Sequence, residues 1–362
     1  VSQAPLLLGS GSVPGNLALV PSVEFPTVIS VANLGNFSAS SRYTGYFDSA
    51  KCYEYVREEF THPTFGRVTA AQGGGYFTPT KVSATCGGSE EWSGNYLNWA
   101  TTQTIDPFRK ALTGGYRVVD TVGTNGKTIL EKATRGNRNS YFPNREVTSG
   151  VADIAGYARN NINRIQTQIS SGDTEYQRNK TLRVTRRYPA LLGLAAFEDT
   201  VYFSVRVEVC KKGTNNTLLE SNCKQYGNTW KPEGLLQQYS DSIRYSVFSY
   251  LNQDGNDRNG GVMRAPQSYI GRITRSPQNP QEQTNPTPEW DQATGQIFAN
   301  PYGDQTGNSG VINYINKFGE LSNIHKSNDP VSELYYTALR YFKNQGNVDS
   351  YSSNLTTQMR DN

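Results

Sequence analysis

"KPEGLLQQYSDSIRYSVFSYL", residues 231–251, decides the fold class. Its second half, 243–251, carries apolar side chains at odd and even positions alike, so a strand built from it has no solvent face. Such strands belong inside sheets covered by helices on both sides, the α/β arrangement. The first half predicts the helix feeding that strand, over 232–242 and opened by Pro232. "GGVMRAPQSYIGRI", 260–273, returns as the neighbouring strand. Helices are predicted over 309–318 and 330–344. In the second, Asp329 caps, Pro330 takes the first helical position, and Val331, Leu334, Tyr335, Ala338, Leu339 and Phe342 share one face. Five of the 17 prolines fall in 275–306, which reads as a long ordered loop.

Upstream the pattern changes. "LALVPSVEFPTVISVAN", 17–33, reads as an opening strand over 17–31, although Pro21, Ser22, Glu24 and Pro26 interrupt it. A strand end tolerates the prolines. Residues 34–92 are dense in Gly, Tyr, Ser and Thr and predict short strands with long loops. Leu97, Ala100, Ile105, Phe108 and Leu112 recur near helical spacing over 93–113, with Pro107 kinking or dividing the helix and Gly114-Gly115 ending it. "TVYFSVRVEVC", 200–210, sets Val201, Phe203, Val205, Val207 and Val209 against Tyr202, Ser204, Arg206 and Glu208, the pattern of a half-exposed strand.

The composition narrows the function classes. A formal charge of +4 on 66 charged residues, with no basic block longer than "RVTRRY", argues against nucleic acid. No apolar run approaches the roughly 18 residues of a membrane span. Tyr, at 23, exceeds 14 Phe and 4 Trp in a chain rich in Asn, Gly, Ser and Thr, which suits extracellular surfaces that bind partners through polar contacts. Four cysteines fall into two local pairs, Cys52/Cys86 and Cys210/Cys223. These pairings are expected among the three that four cysteines allow, in an oxidising compartment. The start "VSQAPLLLG" reads as a chain whose signal peptide has been removed.

Catalytic signals are thin. "GTNGKT", 123–128, resembles a phosphate loop, but Thr121 stands where its first glycine belongs, so a turn is the better reading. Only His62 and His325 are available for imidazole chemistry. Glu58-Glu59 and Glu90-Glu91 are carboxylate pairs of the kind glycosidases use, yet adjacent acids in loops are usually solvated. A secreted carbohydrate-binding or carbohydrate-active protein is therefore the alternative reading, not the main one. Asp254, Asn256 and Asp257 in "NQDGNDRNGG", 252–261, offer oxygen ligands for calcium. The spacing departs from a calcium loop, and a hairpin turn explains the same residues.

Four ordered blocks carry a family resemblance: "YTGYFDSAKCYEY" (43–55), "WSGNYLNWATTQTIDPFRKALTGGYRVVDT" (92–121), "VEVCKKGTNNTLLESNCKQYGNTWKPEGLLQQYSDSIRYSVFSYLN" (207–252), and "SGVINYINKFG" with "NDPVSELYYTALRYFKN" (309–319 and 328–344). Together they resemble the N-terminal region of type IV pilus tip adhesins and assembly proteins of the PilY/PilC type. The resemblance implies a non-enzymatic tip component that binds minor pilins, supports pilus assembly, twitching motility and surface or host-cell adhesion, and is exported to the pilus tip, cell surface or outer membrane. It implies no cofactor in this chain, and calcium only in a C-terminal propeller outside it. It also implies a von Willebrand A-like doubly wound α/β sheet, whole or cut short within the chain, carrying a large β-rich, loop-rich insertion. Residues 1–33 would hold its first strand, 34–230 the inserted α+β region with both disulfides, and 231–362 the remainder, with further strands beyond Asn362. Metal-binding domains of that kind end their first strand in D-x-S-x-S. Here Pro21, Val23 and Phe25 stand at those positions, interleaved with Ser22 and Glu24, and Asp329 replaces the threonine of a later Thr-Pro. One acid without a hydroxyl pair does not build an octahedral oxygen cage, so no metal site is carried over.

Overall fold

The protein, seen as a computed structural model, is described for residues 14–22, 30–62, 66–87, 90–134, 143–155, 162–169, 180–191, 193–250, 260–276, 279, 281–303, 309–318 and 330–351. It is a mixed α/β structure of several sheets and few helices. The unit predicted by 231–251 is a three-stranded sheet, β1 (Gly15–Leu19), β16 (Ile243–Ser249) and β17 (Val262–Ser268), with β16 central. β1 runs parallel to β16, Leu17 opposite Tyr245, and β17 runs antiparallel to it. Tyr245 and Val247 join a cluster with Ile312 and Ile315 of α5 (Val311–Lys317) and Ile105 of α2 (Ile105–Thr113). Phe248 and Tyr250 pack instead with Leu334 and Ala338 of α6 (Val331–Phe342). The strand is apolar on both faces because both faces are covered.

The intervening chain builds two further sheets. The first has six strands in the order β6 (Glu91–Ser93), β2 (Lys51–Arg57), β5 (Gly75–Val82), β13 (Arg206–Val209), β8 (Thr128–Glu131) and β7 (Arg117–Asp120). The second is an antiparallel meander of β9 (Arg145–Val147), β10 (Arg164–Ile169), β11 (Thr181–Tyr188) and β12 (Phe197–Ser204). Both sheets, α1 (Gly94–Thr101) and α3 (Val151–Ile154) feed one core. Its centre is aromatic: Phe77, Trp92 and Phe203 are fully buried and meet edge-on or tilted, with Phe203 and Trp92 centroids 5.3 Å apart. Three two-stranded ribbons complete the strands: β3 (Phe60–His62) with β4 (Gly66–Val68), β14 (Cys223–Tyr226) with β15 (Thr229–Pro232), and β18 (Ile273–Thr274) with β19 (Gln283–Thr284). The last helix of the set, α4 (Leu235–Gln238), is one turn long. No helix among the described residues is long and apolar enough to cross a membrane.

Several expectations need correction. The helix predicted over 232–242 shrinks to α4, because Pro232 ends strand β15 opposite Cys223. The 93–113 helix divides before its proline, at 102–104, where Val31 bridges Gln103 and Thr104 N–H donates to Ser30 O (2.8 Å). Pro107 sits in the first turn of α2, where its missing N–H has no helical acceptor to lose. The strand predicted over 200–210 is two strands in different sheets, and only part of its polar face meets solvent: Tyr202 is exposed and Glu208 half-buried, whereas Ser204 and Arg206 are buried. Arg206 lies over the Phe60 ring (3.7 Å), with Nε 3.7 Å from Glu131 Oε2. The opening strand predicted over 17–31 ends at Leu19: residues 20–22 leave the ladder, Val31 makes only an isolated bridge, and 23–29 lie outside the described residues. Pro330 caps α6 instead of entering it, and the face assigned to that helix splits: Leu334 and Ala338 are buried, whereas Val331, Tyr335, Leu339 and Phe342 are exposed.

Candidate functional site

The carboxyl ends of parallel strands are where open α/β sheets place ligands, and of the residues singled out above Pro21 and Ser22 lie at this rim. Pro21 and Ser22 follow β1, and Ser22 Oγ lies 3.0 Å from the hydroxyl of Tyr250, just past β16. Tyr250 is buried, and its carbonyl accepts from Arg264 Nη2 (2.6 Å). Val20 packs into the cluster of Phe248, Tyr250 and Leu334. Gly260 and Gly261 admit α6 to the rim: a Cβ on Gly260 would stand 2.0 Å from Glu333 Cβ, and one on Gly261 2.6 Å from Thr337 Oγ1. Val23, Glu24, Phe25 and Asp329 lie outside the described residues, as do Asp254, Asn256 and Asp257. The described part of the rim offers a serine hydroxyl engaged by a tyrosine. Among the described residues, one trio has metal-ligating side chains within reach of one another, Cys210, Glu220 and Cys223. Its two sulfurs are bonded to each other, which removes the thiolates a metal would take.

That trio has a different role. The structure contains both disulfides, Cys52–Cys86 and Cys210–Cys223. Glu220 joins them: one carboxylate oxygen accepts from Cys210 N–H (2.7 Å) and the other from Lys51 Nζ (2.6 Å), next to Cys52. Lys51 is buried and also reaches Leu218 O (2.8 Å) and Asp48 Oδ2 (3.3 Å). Sequence reasoning paired the cysteines but missed this link, since a lysine in a strand ordinarily points to water.

Beside the pair opens a polar cleft of about 530 Å³, lined in part by Arg42, Asp48, Lys110, Glu220, Asn222 and Gln238. Lys110 donates to Gly45 O (2.7 Å), and burial lowers the pKa of its amine. The cleft mixes both charge signs, as a surface for polar contacts does. The carboxylate pairs are separately engaged: Glu91 with Lys81 (2.7 Å), Glu59 with Arg67 (2.6 Å) and Glu58 with Lys127 (3.7 Å). "GTNGKT" forms the β7–β8 turn, closed by Thr121 N–H to Lys127 O (3.0 Å). Glu289, in the proline-rich loop, was also missed, because no periodicity marks a lone acid there. It is fully buried, and its carboxylate accepts the Val311 and Ile312 N–H groups that open α5 (2.7 and 2.8 Å). Burial raises its pKa to about 7, against those hydrogen bonds and that of Tyr302.

The described residues thus form a disulfide-stapled α/β protein with polar clefts. Residues 35–188 match the family described as "PilY1 homolog, small alpha/beta domain". Two curated relatives extend the likeness, both named type IV pilus biogenesis factor PilY1 homolog and both from Xylella fastidiosa (strain Temecula1 / ATCC 700964). One is 43% identical over 97% of this chain and 30% of its own length, the other 26% identical over 83% and 22%. The chain is thus similar to PilY1-type proteins along nearly all of its own length and spans about a third or less of the length of these relatives. No solved structure matches it.

Proposed function

We propose that the chain is a non-enzymatic part of a type IV pilus biogenesis factor. It acts at the pilus tip by binding minor pilins, and supports assembly, twitching motility and adhesion to surfaces or host cells. The observation that carries this reading is the 43% identity along 97% of the chain to a pilus biogenesis factor. The two disulfides support export to an oxidising compartment. We further propose that β1, β16 and β17 begin a von Willebrand A-like sheet, with the six- and four-stranded sheets inserted after its first strand. The parallel β1–β16 pair with an antiparallel β17 beside it supports that assignment. The rim has lost metal-dependent adhesion, so contacts with partners are polar and direct.

The test deletes the coding segment for this chain from the full-length gene in its native host. Pilus number and twitching-zone diameter should both fall, and purified chain should retain minor pilins in pull-downs. Normal piliation and motility with no pilin retained would refute the proposal.

A further inference from the structure

β12 is an edge strand, and its register shows which of its backbone groups are free. Ser204 N–H donates to Gly73 O (2.9 Å) and Tyr202 O accepts from Arg57 Nη1 (3.4 Å), so the even-numbered residues turn their amides away from β11. The neighbouring pair agrees: Asn163 N–H donates to Arg187 O, which leaves Arg186, Val184 and Leu182 to bond Asp199, Val201 and Phe203. The outward N–H and C=O groups of Glu198 and Thr200 therefore have no partner among the described residues. Exposed strand edges of this kind template pairing with another chain.

Three further features define what fits there. A groove of about 420 Å³, lined by Arg57, Ala70, Ala71, Thr200, Val201 and Tyr202, continues the edge. On the core side of β12, Phe197 is 58% exposed and stacks flat on Tyr188 (4.4 Å), beside half-buried Val201. An added strand would set alternate side chains on that apolar shelf. At the other end the exposed Arg57 guanidinium lies over Tyr55 and Phe203 (5.3 and 5.2 Å), and no carboxylate among the described residues pairs with it.

We propose that the open edge of β12 is a strand-addition site for an extended segment of a partner polypeptide, apolar at alternate positions and bearing a carboxylate that meets Arg57. Main-chain hydrogen bonds to Glu198 and Thr200 supply the pairing, the Phe197–Tyr188 shelf selects apolar residues, and Arg57 fixes the register. The open edge carries this site independently of the pilus reading.

The probe is a set of short synthetic peptides alternating valine and threonine, with aspartate or asparagine at either end. The aspartate peptide is expected to slow hydrogen exchange at the Glu198 and Thr200 amides and to bind about tenfold more tightly than its asparagine analogue. Arg57→Gln should erase that preference. Thr200→Pro should abolish binding while preserving the β11–β12 ladder, because the lost N–H points outward. Should Thr200→Pro fail to fold, Glu198→Pro makes the same test. Absent protection, undiminished binding to the proline variant, or equal binding of acidic and neutral peptides would overturn the proposal. A Thr200→Pro-sensitive dimer of the free chain would reassign the edge to self-association and overturn it as well.

Discussion

Lys51→Met removes the ammonium that links the two disulfide regions while keeping the length of the side chain. In the folded protein Lys51 Nζ, 2% exposed, meets Glu220 Oε1 at 2.6 Å, Leu218 O at 2.8 Å and Asp48 Oδ2 at 3.3 Å. The substitution leaves Glu220, 7% exposed, with its bond from Cys210 N–H and no ammonium at 2.6 Å. Removing one member of a buried ion pair typically costs about 3–5 kcal/mol. The nearby Lys110 ammonium feels the Glu220 charge and offsets part of the loss. The expected destabilisation is therefore near the lower end, about 3 kcal/mol. At roughly 2–4 °C per kcal/mol for a domain of this order of size, the melting temperature should fall by about 6–12 °C. The assay is urea unfolding of oxidised protein, followed by fluorescence of the buried Trp92 and Trp99. A Lys51→Met, Glu220→Gln double variant removes both charges, so its loss should be smaller than the sum of the two single losses by about 1 kcal/mol or more. A loss below about 1 kcal/mol for Lys51→Met, or strict additivity in the cycle, would refute the reasoning.

Glu289 predicts an unusual pH dependence. Its folded-state pKa of about 7 lies above the ordinary 4.5, so between those values the folded chain holds a proton that the unfolded chain has lost. Stability from this group is present below pH 4.5 and is lost as pH rises through 7, by up to about 3 kcal/mol. Calorimetry at pH 5 and 8 should show the higher melting temperature at pH 5, with Glu289→Gln flattening the difference; an unchanged slope in that variant counts against the assignment. Gly261→Val places a branched side chain at φ +130° against Leu334 and Thr337. It should release α6, read as faster amide exchange over 331–342 with exchange at Trp92 and Phe203 unchanged; protection retained in α6 contradicts the packing.

The sequence reported best where burial was one-sided or complete. The two-faced strand at 243–249 and its returning partner were legible because both periodicities of apolar residues were filled, and that pattern has few other uses. The same logic failed at 200–210. Alternation there marks a strand, but Arg206 turns inward toward Glu131, whose other carboxylate oxygen accepts from Lys180 (2.6 Å). Charges paired at long range look, in one dimension, like a solvated face. Helix 232–242 failed for the converse reason. Pro232 and Glu233 carry good helix-opening chemistry, yet Asn222 O takes the Glu233 N–H (2.9 Å) and the Cys210–Cys223 disulfide holds the β14–β15 ribbon in place. Of the candidate site, Pro21 and Ser22 follow β1 directly in sequence, whereas the Lys51–Glu220 link and the open β12 edge depend on residues more than a hundred positions apart or on strand order.

The pairing of β1 with β16 poses the fold's chief physical problem, because Leu19 and Ile243 are separated by two whole sheets of intervening chain. Loop closure alone grows only slowly with length, so such a separation is affordable provided the intervening segment is folded and its ends are fixed. The fixing is done by α2. Arg109, fully buried, donates to Asp106 (2.9 Å) in its own helix, to Glu131 O (3.3 Å) in the six-stranded sheet and to Asn316 O (3.1 Å) in α5. Asp106 in turn accepts from Ala133 N–H (2.8 Å), and Thr113 Oγ1 donates to Asn316 Oδ1 (2.7 Å). One helix thus ties the inserted sheets to the helix that covers β16. In the folded chain the five-residue strand β1 therefore pairs with a strand whose covering helix is anchored to the insertion.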